Sequence, residues 1–203
     1  MLKNLTPFLP EGTLPLVEAM LKDESFHLVI TKPRKTKLGD FRPPQRGETP
    51  RLTVYGNLNP YAFLITLVHE VAHLKTWNRY KNRVKPHGQE WKDCYKDLLL
   101  TFVGQNVFPP EVEQIVYNHA QKPGYSSASD AELTLALRAF DEPDGTTTLN
   151  TMQPGDQFTL NGRHFQIDQK LRTRFLCTDL TNGKKYRVHG LAQVEPFHSA
   201  KLG

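Results

Sequence analysis

Between Leu67 and Trp77 the chain reads LVHEVAHLKTW, and no other stretch constrains the fold as strongly. Two histidines and a glutamate stand inside an apolar run with the spacing of a buried helix. Burying imidazole and carboxylate without partners costs several kcal/mol, so the interior must supply something for them to meet. His69 and His73 are four residues apart, so on a helix both side chains leave the same face one turn apart and can grip one ion at about 2.0–2.1 Å each. Glu70 lies about 60° around the helix from His73. That offset sets its carboxylate beside such an ion, where a general base for water belongs. The pattern is the HExxH found in zinc metalloproteases. The alternative is a pair of hydrogen-bonded core histidines, which leaves Glu70 without a partner in the same apolar helix.

Catalytic zinc takes three protein ligands and keeps one position open. His87, in KPHGQEW, is the candidate third ligand, and the 13 residues between it and His73 suffice to turn the chain back over the first helix. A solvated loop histidine is the competing reading for it.

NLNPYAFLITLVHEVAHL (57–74), a basic loop and then HGQEWK (87–92) resemble the SprT-like metalloprotease domain, whose relatives include the DNA-dependent protease Spartan. KLG at 37–39 is similar to the stretch ahead of the central strand in these domains, and the resemblance covers about residues 10–105. It implies a small zincin-like metalloprotease domain of helices with a short sheet. It also implies one Zn2+ per chain held by His69, His73 and His87, Glu70 as catalytic base, and protein substrates crosslinked to or sitting on DNA. The tail departs from the family pattern. Many bacterial SprT-like proteins end in a four-cysteine zinc ribbon, whereas this chain has only Cys177 there and Cys94 far upstream. Two distant cysteines exclude a disulfide framework and a second zinc of that kind; both read as small buried residues.

Periodicity places helices over EGTLPLVEAMLK (11–22), over about 17 residues after Asn59 as cap and Pro60 at the first helical position, from Gly88 through EWKDCYKDLLLTFV, over PPEVEQIVYNHAQ (109–121), and over SDAELTLALRAF (129–140) with Ser129 or Asp130 as cap. FHLVITKPR (26–34) and RLTVYG (51–56) read as strands separated by a basic, proline-containing loop. DEPDGTTTLNTMQPGD has no periodicity and reads as a linker. Beyond it, alternation over residues 157–197 with Asn161-Gly162 and Asn182-Gly183 turns predicts four or five short strands. The expected fold is therefore α+β: a metalloprotease domain over 1–140, a linker over 141–152, and a small all-β, barrel-like module over 153–203.

Net charge is +5, but it is segregated. Residues 31–46 and 75–92 each carry +5, while 93–149 carry −6. Such tracts suit a polyanionic partner met by specific surfaces. KTWNRYKNRVKPHG interleaves Trp77 and Tyr80 with Lys75, Arg79, Lys81, Arg83 and Lys85, so bases can stack on the rings while the cations follow phosphates. QKLRTRF adds a second patch with Arg172 and Arg174. The bland reading of both is a solvated basic face. The expected partners are DNA, single-stranded or distorted, and protein substrates. No apolar run approaches the roughly 20 residues that span a bilayer, and the N-terminus lacks the apolar core of a signal peptide, so the expected compartment is cytoplasmic. Three functions fit: a DNA-associated zinc endopeptidase, a metal-dependent hydrolase of another substrate such as RNA, and a nucleic-acid-binding protein with a structural zinc. Glu70 disfavours the third, since a structural site more often fills its fourth position with a ligand.

Overall fold

The computed structural model describes residues 2–32, 38–45, 47–124 and 130–197. Much of the basic tract 31–46, Lys37 of the KLG stretch and Ser129 lie outside them. The chain divides into two units, Met1–Asp141 and Glu142–Gly203. The fold is α+β.

In the first unit, β1 (His27–Thr31) pairs in parallel with β3 (Arg51–Tyr55), and β2 (Gly39–Arg42) pairs antiparallel with the other side of β3. β2 falls in a stretch expected to be loop. Its four residues, followed at once by Pro43 and Pro44, show almost no alternation, and pairing in register with Leu52 and Thr53 is what makes Phe41 and Asp40 a strand. Two elements surround this sheet's main helix: α1 (Leu14–Leu21) before it and α3 (Gln89–Leu100) after it. The unit is completed by α4 (Pro110–Gln121) and α5 (Ala131–Arg138).

That main helix, α2 (Pro60–Tyr80), is the axis of the core. Phe63, Leu64, Leu67, Val68, Val71 and Leu74 are fully buried on it, and Leu52 and Val54 of β3 are buried beside them. Each such side chain contributes about 1.5–3 kcal/mol by leaving water. A helix apolar nearly all round belongs inside a fold rather than on its surface. Its start is fixed as expected: Asn59 accepts from the Ala62 N–H at 3.0 Å, and Pro60 occupies the first turn. The Asn59 amide also donates to Leu137 O and to the Asp141 carboxylate, tying the helix start to the end of α5.

The helix runs 21 residues rather than about 17. No glycine or proline interrupts KTWNRY, and Glu24 holds this last stretch by accepting from Lys75 Nζ at 2.8 Å and Asn78 at 2.6 Å. Residues 75–80 of the expected basic loop are therefore helical.

In the second unit six strands form one antiparallel sheet in the order β4-β9-β5-β6-β7-β8, comprising β4 (Thr147–Thr148), β5 (Gln157–Leu160), β6 (Arg163–Lys170), β7 (Arg174–Asp179), β8 (Lys185–His189) and β9 (Gln193–Pro196). Here the barrel-like expectation needs correction. The sheet is open, because β4 is only two residues long and pairs with β9 rather than reaching β8. The stretch read as linker contributes β4 and the buried Leu149 to this unit's own core, with Phe158, Phe165, Phe175 and Cys177. At the β5–β6 turn Asn161 and Gly162 both have positive φ (52° and 74°), as a type I′ hairpin requires. Cys177 is buried as expected; Cys94 is half-buried. No helix among the described residues is long and apolar enough to cross a membrane.

Candidate metal centre

Four elements meet at one point of the first unit. α2 presents His69 and His73 from successive turns, and the turn before α3 brings His87 across from the neighbouring helix. The three Nε2 atoms form a near-equilateral triangle: 3.2 Å from His69 to His73, 3.0 Å from His73 to His87 and 3.2 Å from His87 to His69. Nitrogens held at about 2.0–2.1 Å from a common tetrahedral ion are about 3.3–3.4 Å apart. The donor set thus fits a zinc-sized cation with little movement.

Electrostatics support the same fit. Burial, followed by repulsion from the other imidazoles, lowers His69 from the ordinary 6.5 to about 3. Burial and then His87 lower His73 to about 3 as well, and burial lowers His87. All three rings are neutral at neutral pH, the form that binds metal. A neutral imidazole has one N–H. With the proton on Nδ1 of each ring, the three Nε2 lone pairs would point at one another, an arrangement a shared cation relieves. Among the described residues, these three are the one group of histidine, cysteine and carboxylate side chains close enough to hold an ion together.

His87 sits where its backbone is disfavoured. Lys85, Pro86, His87 and Gly88 form a turn closed by the Gly88 N–H donating to Lys85 O at 2.9 Å. Proline at the second position and φ of +56° at the third define a type II turn, whose third position ordinarily takes glycine. Gly88 must itself be small, since a Cβ there would stand 2.9 Å from Lys85 O. A histidine at a glycine position carries backbone strain that the surrounding structure must hold in place.

Glu70 is buried on the helix between the two histidines. The backbone of β2 crosses directly over it: a Cβ on Gly39 would lie 2.7 Å from Glu70 Oε1 and 2.8 Å from Thr66 Cγ2. Two residues along the strand, the Phe41 ring stacks on His73, with centroids 6.2 Å apart and planes 8° from parallel. The glutamate, one candidate ligand and the edge strand are thereby brought into contact.

Comparison with protein-family models, with curated proteins and with solved structures finds no match. The site's chemistry rests on its own residues.

Below the histidines lies a floor that periodicity alone did not single out. Trp91 and Tyr95 follow His87 at four-residue intervals, so α3 points both at the site. The Trp91 ring centroid is 4.6 Å from His69, 5.1 Å from His73 and 4.6 Å from His87, and Tyr95 stacks on its far side at 5.0 Å, 11° from parallel. The signal was the 87–91–95 spacing. Gly39 had none beyond its place in KLG.

The residues expected to meet nucleic acid are distributed unevenly. Lys75 is ion-paired to Glu24. Trp77 is half-buried with the Lys81 ammonium 3.8 Å above its ring, and the Arg79 guanidinium lies 5.2 Å from the Tyr80 centroid. Arg79, Lys81, Arg83 and Lys85 are exposed, and the ion pairs among the described residues involve none of them. In the second unit, Arg172 and the first β7 residue, Arg174, are exposed at the turn joining β6 to β7.

Proposed function

We propose that this chain is a zinc-dependent endopeptidase of SprT-like, zincin-like type that acts on proteins associated with DNA. The observation that carries the reading is the convergence of three neutral imidazoles to within 3.0–3.2 Å of one another, with a buried glutamate between two of them on the same helix. A zinc ion held by His69, His73 and His87 would supply Lewis-acid activation of water and of the scissile carbonyl. Glu70 accepts the proton of the attacking water and returns it to the leaving amine. Phe41 and Trp91, packed against the histidines, are apolar walls that limit bulk water at that exchange.

The substrate reading draws on β2. Its far edge pairs with no described strand, and it runs beside Glu70 and His73. An extended peptide adding to that edge would bring its backbone to the site, which suits proteins over small molecules. For the DNA association, the support is the four exposed cations on the last turn of α2 and the loop that ends in His87. DNA that orders this loop would act on the third ligand, favouring the competent arrangement over others.

The test is hydrolysis of a denatured protein by zinc-loaded enzyme with and without single-stranded DNA. Cleavage that DNA stimulates is the expected result. Cleavage of RNA with no proteolysis would overturn the reading in favour of a phosphodiester hydrolase.

A further inference from the structure

Behind the aromatic floor, on the side away from the three histidines, His119 of α4 is almost fully buried, with a side chain 1% exposed. Both of its nitrogens are engaged. Nδ1 is 2.8 Å from Asp130 Oδ2, and Nε2 is 3.3 Å from the Tyr95 hydroxyl. Burial would push the Asp130 carboxyl up, but hydrogen bonds from His119 and the Leu133 N–H more than offset it and hold the group below its ordinary range, so it is an acceptor. His119 therefore donates from Nδ1 to Asp130, and its Nε2 shares a hydrogen bond with the Tyr95 hydroxyl.

The position of this chain matters. Tyr95 stacks on Trp91 and meets His69 edge-on at 5.6 Å, while Trp91 touches all three candidate ligands. A phenol ring on a helix can rotate and tilt unless its hydroxyl is tied. Packing alone would be served by leucine or phenylalanine at 119, with no buried imidazole and carboxylate to satisfy. Metal-ligating histidines are characteristically oriented by groups outside the ligand set, and here the orienting contact would reach His69 through edge-to-face ring contacts.

We propose that Asp130, His119 and Tyr95 form a buried positioning chain that fixes the Tyr95–Trp91 floor and through it the orientation of His69 in the metal centre. This rests on the metal reading above, and the experiment separates the two.

Two conservative variants break the chain and spare the packing. Tyr95→Phe removes only the hydroxyl. Asp130→Asn keeps a good helix cap, but its amide has one acceptor oxygen where the carboxylate uses two: Oδ1 for the Leu133 N–H and Oδ2 for His119. Titration with Co2+ as the probe metal gives affinity and a ligand-field spectrum. Each variant is expected to bind Co2+ roughly ten-fold more weakly and to shift the visible bands, while the metal-free proteins stay folded with melting temperatures lowered by the loss of one buried hydrogen bond. The double variant should lose little more than either single, since both cut one chain. Unchanged affinity and bands would overturn the proposal and leave the chain a means of joining α3, α4 and α5. Should the wild type bind neither Co2+ nor Zn2+, the metal reading fails, and imidazole NMR of the metal-free protein still decides the positioning. Matching displacement of the His69 ring resonances in both variants supports it; unmoved resonances refute it.

Discussion

Replacing His87 with glycine separates what this residue does for the backbone from what it does for a metal. An L-residue in the left-handed region costs about 1–2 kcal/mol, and His87 is there at φ +56°. Glycine removes that cost but gives the unfolded chain back about 0.5–1 kcal/mol of entropy. The half-buried ring also loses its contact with Trp91. In chelator, His87→Gly should therefore melt within about 1 kcal/mol of wild type. His87→Ala keeps the backbone cost and loses the ring, so it should be less stable than His87→Gly by about 1 kcal/mol, or about 3–4 °C for a unit of this size. With zinc, wild type rises above both variants. Wild type at a hundred-fold excess over Kd gains about 2.7 kcal/mol, and both variants forgo that gain. Paired thermal melts of the three proteins in chelator and in zinc read these differences. A full zinc-induced shift in His87→Gly would remove His87 from the ligand set, and equal stability of the glycine and alanine variants would refute the strained turn.

Gly39→Ala should push β2 off Glu70, since the added methyl meets Oε1 at 2.7 Å; we expect about 1–3 kcal/mol of lost stability in chemical denaturation and a larger proportional loss of hydrolysis. For the metal-free protein, the His69 and His73 pKa values are lowered to about 3 from 6.5, so above 6.5 neither folded nor unfolded chain protonates them and stability is flat. Below 6.5 the unfolded chain takes up protons that the fold refuses, and by pH 5 each histidine should cost roughly 2 kcal/mol; a double His69→Gln, His73→Gln variant should show a much shallower decline in pH-dependent melts. Neutralising Arg79, Lys81 and Arg83 together should weaken binding of single-stranded DNA and flatten its salt dependence by up to about three phosphate contacts while zinc content stays unchanged; normal DNA binding would turn attention to Arg172 and Arg174.

The grouping of the three histidines was legible because its chemistry conflicts with its surroundings. Histidines and a glutamate in an apolar helix demand partners, and the four-residue spacing with a capped start at Asn59 left few geometries. Helix α2 was underestimated at its end, since what holds Lys75 and Asn78 in place is Glu24, 51 and 54 residues away in sequence. β2 was invisible for the opposite reason: a strand of four residues draws its identity from its partner, and Gly39 matters through a backbone approach that no local pattern encodes. The open sheet of the second unit followed from the brevity of β4, a length that periodicity does not resolve. His119 and Asp130 read locally as a helix residue and a cap; their joining is a tertiary fact.

The most direct measurement is proteolysis by wild type and Glu70→Gln at equal, verified zinc content, with single-stranded DNA present. Glu70→Gln should hold one zinc per chain and fold as wild type yet cleave at least a hundred-fold more slowly, because an amide cannot accept the water's proton. Cleavage within about ten-fold of wild type, or a wild type that holds no zinc, would contradict the assignment of this site as a zinc peptidase centre.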